Sequence, residues 1–169
     1  MNWSLVGMRG AGKSWLVQLW ARKFSATFID LDSEIEAVQG ATIPEIVDEY
    51  GWNHFRKCEA EVLRNICETN KVDTILATGA GVIEDPANRE ILKEWGRVLW
   101  VDVPLEVLEE RVAASDRPAV IGQDAVLELA DLYERRKEIY ASLADEVLKP
   151  YGMEEEEVVH EIERLWLIL

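Results

Sequence analysis

The sequence predicts an α/β fold, a three-layer α/β/α arrangement in which a central five-stranded parallel sheet carries helices on both faces. Three observations predict it. Short apolar runs alternate with helical patterns along the whole chain. Those runs are nearly continuous in apolar character, as strands buried on both faces must be. The first of them also passes through a glycine-rich loop straight into a helical pattern. At 169 residues, 49% apolar and 30% charged, the chain has the size and composition of one globular domain, and residues 1–169 read as a single unit.

Taken in order, the apolar run Trp3–Val6 is the first strand and Lys13–Phe24 the first helix. Residues 27–31 form the second strand, with Asp30 and Asp32 at its end. Helical patterns follow over Ile43–Tyr50 and 53–68. Cys58 and Cys67 lie nine positions apart in the latter. That spacing suits neither a metal pair nor a Cys-x-x-Cys motif, and one helix cannot bridge its own cysteines, so both are read as free thiols in a reducing compartment. Thr74–Ala77 and 98–103 are the next strands, and Asp102 is expected to cap the helix over 105–114. Residues 115–123 show no helical pattern. A helix over Ala125–Leu143, a short edge strand near Val147 and a helix over 154–167 complete the chain. The acidic run at the start of that last helix suits the helix macrodipole. Val158, Ile162, Leu165 and Leu169 share one face and are expected in the core.

The net charge of −15 repels polyanions, so nucleic acid and anionic membrane surfaces are poor partners. No apolar run approaches the roughly 20 residues a membrane span requires. The N-terminus has neither a basic start nor a small-residue cleavage site, so no export signal is expected. These features predict a cytoplasmic protein, expected to be a monomer, that acts on a small molecule. An anionic ligand must then be held by a few local cations and oriented backbone N–H groups.

Gly7-Met8-Arg9-Gly10-Ala11-Gly12-Lys13-Ser14 matches G-x-x-x-x-G-K-[ST], with the strand before and helix after that the motif needs. Glycines let the backbone wrap a phosphate chain, and successive N–H groups at the helix N-terminus supply positive potential. Gly10, Ala11, Gly12, Lys13 and Ser14 are therefore candidate ATP ligands, Lys13 for the β- and γ-phosphates and Ser14 for Mg²⁺. No Asn-Lys-x-Asp motif is present, which disfavours a GTPase. Val98–Asp102 superficially resembles an ATPase strand, but Val103-Pro104 follows it, leaving no acidic partner to orient a water. Asp30 and Asp32, two apart on a strand, are expected to emerge together at the carboxyl edge of the sheet, where open α/β folds bind ligands. Paired carboxylates there suit Mg²⁺ coordination and orientation of an attacking hydroxyl; the alternative is a helix N-cap.

The ordered set 10–14, Phe28-Ile29-Asp30-Leu31-Asp32, Phe55-Arg56 with Glu59, Thr78-Gly79-Ala80-Gly81, Arg117-Pro118 and Arg136 four residues before Tyr140 resembles the shikimate kinase family over nearly the whole chain. The phrasing Gly7-Met8-Arg9, Gly51-Trp52 and Arg117-Pro118-Ala119 looks more like the kinase region of the pentafunctional arom polypeptide than like most single-domain enzymes. The resemblance implies a P-loop kinase with a lid over about 115–123 that uses ATP and Mg²⁺ to phosphorylate the 3-hydroxyl of shikimate in chorismate biosynthesis. It implies that Asp32 orients that hydroxyl, that Arg56 and Arg136 hold the carboxylate, and that the backbone of Gly79, Ala80 and Gly81 lies between γ-phosphate and acceptor. It further implies that Arg117 reaches the transferring phosphoryl group from the lid, and that Arg111 lies near the adenine.

The chain departs from the family pattern at Ala80, where a glycine is usual, and at Trp15 and Trp52. Ala80 strains the loop if that position needs a positive φ. Trp15 is expected to pack into the core, the alternative being that it crowds the nucleotide side. His54 and His160 are expected at the surface, and most of the seven tryptophans in the core. Two other readings stay open on the residues alone: a kinase for another small polyol acid such as gluconate, and a weakly active binding or regulatory module, for which Ala80 is the motive.

Overall fold

The structure is a computed structural model that describes residues 1–70, 72–114 and 125–167. Strands β1 (Trp3–Val6), β2 (Thr27–Asp30), β3 (Thr74–Ala77), β4 (Arg97–Val101) and β5 (Glu146–Leu148) form one sheet. Its order is β2-β3-β1-β4-β5, parallel throughout. Every residue of β1 and β3 is buried, which is why these runs lack alternation. The helices are α1 (Lys13–Phe24), α2 (Leu31–Gln39), α3 (Ile43–Tyr50), α4 (Trp52–Thr69), α5 (Pro86–Trp95), α6 (Leu105–Ala113), α7 (Ala125–Leu143) and α8 (Glu155–Leu167). Among the described residues no helix is long and apolar enough to cross a membrane.

Central β1 carries Trp3, fully buried, whose ring lies 5.4 Å from that of Trp20 on α1; Trp20 in turn meets Trp166 on α8 edge-on at 5.9 Å. Aromatic contacts of this kind add to the burial of their large apolar area, and here they fix α1 and α8 against the sheet. Trp3 and Trp20 are the only tryptophans fully buried; four others are half-buried and Trp15 is 43% exposed. Cys58 and Cys67 are buried and form no disulfide. Val158, Ile162 and Leu165 face the core as expected, while Leu169 lies outside the described residues.

The structure corrects four expectations. The second strand stops at Asp30, and Leu31 opens α2, so Asp32 sits in the first turn of a helix rather than on a strand. Helix α5 had no counterpart in the sequence reading, and α2 appeared there only as the N-cap alternative for the aspartate pair. Asp102 does not cap α6, whose N-cap is Pro104 with no side-chain hydrogen bond; it pairs with Lys149 at 3.6 Å instead. Trp15 does not pack into the core.

Because β1 lies between β3 and β4, the connection from β1 to β2 crosses over β3. The loops leaving β1, β2 and β3 therefore gather at one carboxyl edge, which is where open parallel sheets bind ligands. Thr78 ties two of them together: its N–H and its hydroxyl both donate to the Leu5 carbonyl, at 3.2 and 2.9 Å.

Candidate functional site

A cleft of about 1810 Å³ opens at that edge. A typical single-ligand pocket holds roughly 300–1,000 Å³, so this one has room for two ligands side by side. Among the described residues five cations line it, Arg9, Lys13, Arg56, Arg111 and Arg136, together with seven carboxylates, so its positive charge is local to particular groups.

One end is built by the glycine-rich loop. Gly10 and Gly12 hold φ at +84° and +89°, a region side chains resist, and Gly12 is the N-cap of α1. The Ala11 N–H donates to the Met8 carbonyl at 3.2 Å, closing the turn. Lys13 Nζ donates to the carbonyls of Gly7 and Met8 at 2.8 and 2.9 Å. Arg111, from the last turn of α6, lies across the loop and donates to the Gly10 carbonyl at 2.8 Å. Trp15, Tyr151 and Met153, all exposed, add an apolar rim to the cleft.

Next to the loop, Ser14 Oγ donates to Asp30 Oδ2 at 2.8 Å, while Asp30 Oδ1 accepts from the Ser33 N–H at 3.1 Å. Asp30 thus serves as N-cap of α2 and as partner of the loop serine at once; the two sequence readings of it were not exclusive. Asp32 faces the segment after β3. A Cβ added to Gly79 would lie 2.9 Å from Asp32 Oδ1 and 3.1 Å from Glu59 Oε1, and a Cβ on Gly81 would overlap the Arg56 guanidinium. A side chain at either position would push these carboxylate and guanidinium groups aside, so the glycines leave them their places, and neither position needs a positive φ.

The far end holds two arginines. Arg56 NH1 donates to Glu59 Oε2 at 2.6 Å, and its guanidinium lies over the rings of Trp52 and Phe55. Arg136, on α7, donates from Nε and NH2 to Glu84 Oε1 at 2.8 and 2.6 Å. Glu59 and Arg136 are the only charged residues buried among those described. Burial pushes the Glu59 carboxyl above its usual range and Asp32 adds to the effect, while Arg56 and Arg136 oppose it. At Glu84 burial acts in the same upward direction, but the hydrogen bond and charge of Arg136, with Arg56 and Arg135, hold the carboxyl below its usual range.

Ala80 is not strained. The positive-φ residues other than glycine are Ser25 and Asp73, and Ala80 is not among them. Its carbonyl accepts from Tyr140 Oη at 2.6 Å, and the Tyr140 ring stacks on Trp100 at 5.9 Å. Tyr140 is 1% exposed, and burial pushes its hydroxyl well up, so it remains a donor. Replacing Ala80 by Gly is therefore expected to leave kcat/KM within about twofold of the parent and to lower the melting temperature slightly, since glycine costs backbone entropy. Parallel kinetics and melting curves check this; a several-fold gain in activity would show that the methyl hinders the site.

Every expected site residue among those described lines this cleft: Gly10, Ala11, Gly12, Lys13, Ser14, Asp30, Asp32, Arg56, Gly79, Ala80, Gly81, Arg111 and Arg136. Arg117 and the expected lid over 115–123 lie outside the described residues. Sequence reasoning assigned no role to Thr78, Glu84 or Tyr140 and did not anticipate Tyr151 and Met153 in the lining, while Trp15 at the cleft was its second reading of that residue. His54 is exposed, 3.5 Å from Cys58 Sγ and away from the cleft lining, and His160 is 82% exposed.

Comparison with known proteins gives a consistent result. The family model described as shikimate kinase matches residues 9–166. A shikimate kinase of Persephonella marina is 35% identical over 161 residues, 95% of this chain and 96% of the relative. The pentafunctional AROM polypeptide of Schizosaccharomyces japonicus is 37% identical over 141 residues, 80% of this chain and 9% of that protein. The solved structure of Acinetobacter baumannii shikimate kinase in complex with shikimate superposes with a TM-score of 0.89 at 32% identity, covering 98% of this chain and 92% of that one.

Proposed function

The chain belongs to the shikimate kinase family, and from that premise we propose how its own residues perform the ATP-dependent phosphorylation of the 3-hydroxyl of shikimate. One observation carries the reading. A phosphate loop, a carboxylate on a helix's first turn and two carboxylate-paired arginines share one cleft with room for a nucleotide and a small acid.

The loop N–H groups and Lys13 bind the β- and γ-phosphates of ATP, and Arg111 with the apolar rim bounds the nucleotide side. Arg56 and Arg136 take the shikimate carboxylate. A planar guanidinium suits a carboxylate bidentately, and each such charged hydrogen bond contributes roughly 1.5–3 kcal/mol. The acid is thereby oriented with its 3-hydroxyl toward Asp32. Asp32 accepts the hydroxyl proton as the oxygen bonds to the γ-phosphorus; the bond from that phosphorus to the β,γ-bridging oxygen breaks, and ADP leaves. Arg117 is proposed to bring a further cation to the transferring group from the segment over 115–123. Shutting water out of the cleft matters, because hydrolysis competes with transfer.

Mg²⁺ fits the donor set. Among the described residues no three His, Cys, Asp or Glu side chains converge as a metal cage. Mg²⁺ keeps most of its waters and takes one or two protein oxygens beside substrate phosphates, and the Ser14 hydroxyl beside the Asp30 carboxylate at 2.8 Å, next to the phosphate loop, is a donor set of that kind. Ser14, Asp30 and Asp32 would hold it, directly or through water. When bound, it supplies charge neutralisation at the phosphates.

The same reading has the protein act as a cytoplasmic monomer on small molecules, without nucleic acid or membrane; its net charge of −15 supports the exclusion of polyanions. The regulatory-module alternative loses its motive with the unstrained Ala80. The test is coupled ADP release with Mg-ATP and shikimate, gluconate or no acceptor. Shikimate-dependent turnover well above the other two is expected. ATP binding without stimulation by shikimate would overturn the assignment.

A further inference from the structure

We propose that Glu84 is a positioning residue for the acid substrate: it fixes the Arg136 guanidinium from behind, so that the donors left over face the cleft and meet the substrate carboxylate. This rests on the shikimate kinase reading above and adds a residue to it.

Arg136 is 5% exposed. A guanidinium buried without a partner is costly, and a carboxylate beside it offsets that cost. Glu84 provides the carboxylate from the 3₁₀ turn Val82–Glu84, directly after Gly81. One of its oxygens, Oε1, takes both Nε and NH2 of Arg136, at 2.8 and 2.6 Å. A guanidinium has five N–H donors in a rigid fork. Holding it along the Nε–NH2 edge, with the Tyr140 hydroxyl oxygen accepting from it as well, leaves the remaining N–H donors for a ligand. The sides are distinct: Arg136 lines the cleft and Glu84 does not. Glu84 therefore acts as a backing group rather than a rival for the substrate's place.

The turn that presents Glu84 is itself pinned. Asn88 Nδ2, buried on α5, donates to the Val82 carbonyl at 3.1 Å, and the Glu84 N–H donates to the Gly81 carbonyl at 3.0 Å. The Arg136 charge keeps Glu84 ionised through the neutral range. Arg56 is paired with Glu59, but that carboxylate itself lines the cleft and meets the guanidinium through NH1 alone, so only Arg136 is held from behind. The two pairs differ in exposure. The Glu84 side chain is 42% exposed and that of Glu59 1%, so Glu84 can be replaced without opening the core.

The test measures binding of shikimate and of its methyl ester, which lacks the anionic carboxylate, by calorimetry on the parent protein, Glu84→Ala and Glu84→Gln, with steady-state kinetics alongside. Glu84→Ala is expected to weaken shikimate about tenfold, the scale of one charged hydrogen bond, with kcat within about twofold and the KM for ATP unchanged. Methyl ester binding should be unaffected. Glu84→Gln, which keeps an acceptor but no charge, should fall between. Unchanged or tighter shikimate binding in Glu84→Ala overturns the proposal. Equal weakening of acid and ester overturns it too, because it would mean the cleft wall had merely been disturbed. A parent protein that does not bind shikimate overturns the kinase reading and this inference together; a parent that binds it normally leaves Glu84 to be judged alone.

Discussion

Lys13→Ala is expected to lower kcat/KM by about 10³-fold or more, the order of loss seen when a preorganised donor to a developing charge is removed in a water-excluded site. Lys13 opens α1 at the mouth of the phosphate loop, and its Nζ is held by the Gly7 and Met8 carbonyls at 2.8 and 2.9 Å. Those contacts aim an ammonium group at the phosphates before any ligand arrives, so little reorganisation remains at the moment of transfer. The protein around the cleft carries a net charge of −15, which makes each local cation count for more. Lys13→Arg should not restore activity, since a planar fork cannot occupy the place of a compact ammonium held by two carbonyls. The melting temperature should change little, because Lys13 is half-exposed and outside the hydrophobic core. A variant within tenfold of the parent would remove Lys13 from the catalytic set and leave phosphate binding to the loop N–H groups and the arginines.

The parts of the fold that repeat a local rule were legible in the sequence, and the parts that depend on a neighbour were not. The strand–loop–helix unit at 3–24 could be read outright because glycine placement, apolar run and helical pattern all agree there. The error at Asp30 and Asp32 arose from reading Phe28–Asp32 as one apolar strand. Asp30 ends the strand by capping a helix whose first residue, Leu31, is itself fully buried, so the apolar signal ran on across the boundary. The start of α5 was marked by Asp85-Pro86, a cap followed by a proline at the first helical position, and that signal was there to be used. Trp15 shows the opposite case: its size argued for the core, yet its place in the first turn of α1 turns it toward the cleft rim. Arg136 looked like part of a solvated charged face, Glu134-Arg135-Arg136-Lys137-Glu138, and only the resemblance to a family singled it out. Its partner Glu84 is 52 residues away along the chain, a pairing that spacing alone cannot reveal.

Asp32→Asn is expected to lower kcat by about 10²–10³-fold, within the range a general base contributes, while the KM for ATP stays within a few-fold of the parent. The asparagine keeps the shape and one hydrogen-bond acceptor but cannot take up the proton released by the attacking hydroxyl. The surroundings argue that the carboxylate is placed for reaction rather than for stability. It is not the cap of α2, a role that Asp30 fills by accepting from the Ser33 N–H. Its Oδ1 instead lies against Gly79, 2.9 Å from where a Cβ would stand, which brings it beside the segment that Tyr140 anchors through the Ala80 carbonyl. Its charge is also felt by buried Glu59, whose carboxyl it helps to push upward. Removing that charge relieves Glu59 but takes a first-turn acid from α2, so the melting temperature should change little. Asp32→Glu makes the complementary case. The extra methylene carries the carboxylate away from its place beside Gly79, so a longer side chain should recover little of the lost rate. Loss of turnover with little change in stability in Asp32→Asn, and no rescue by Asp32→Glu, would identify a base set by position. Near-parent kcat in either variant would instead assign Asp32 to binding and leave the hydroxyl proton to a phosphate oxygen.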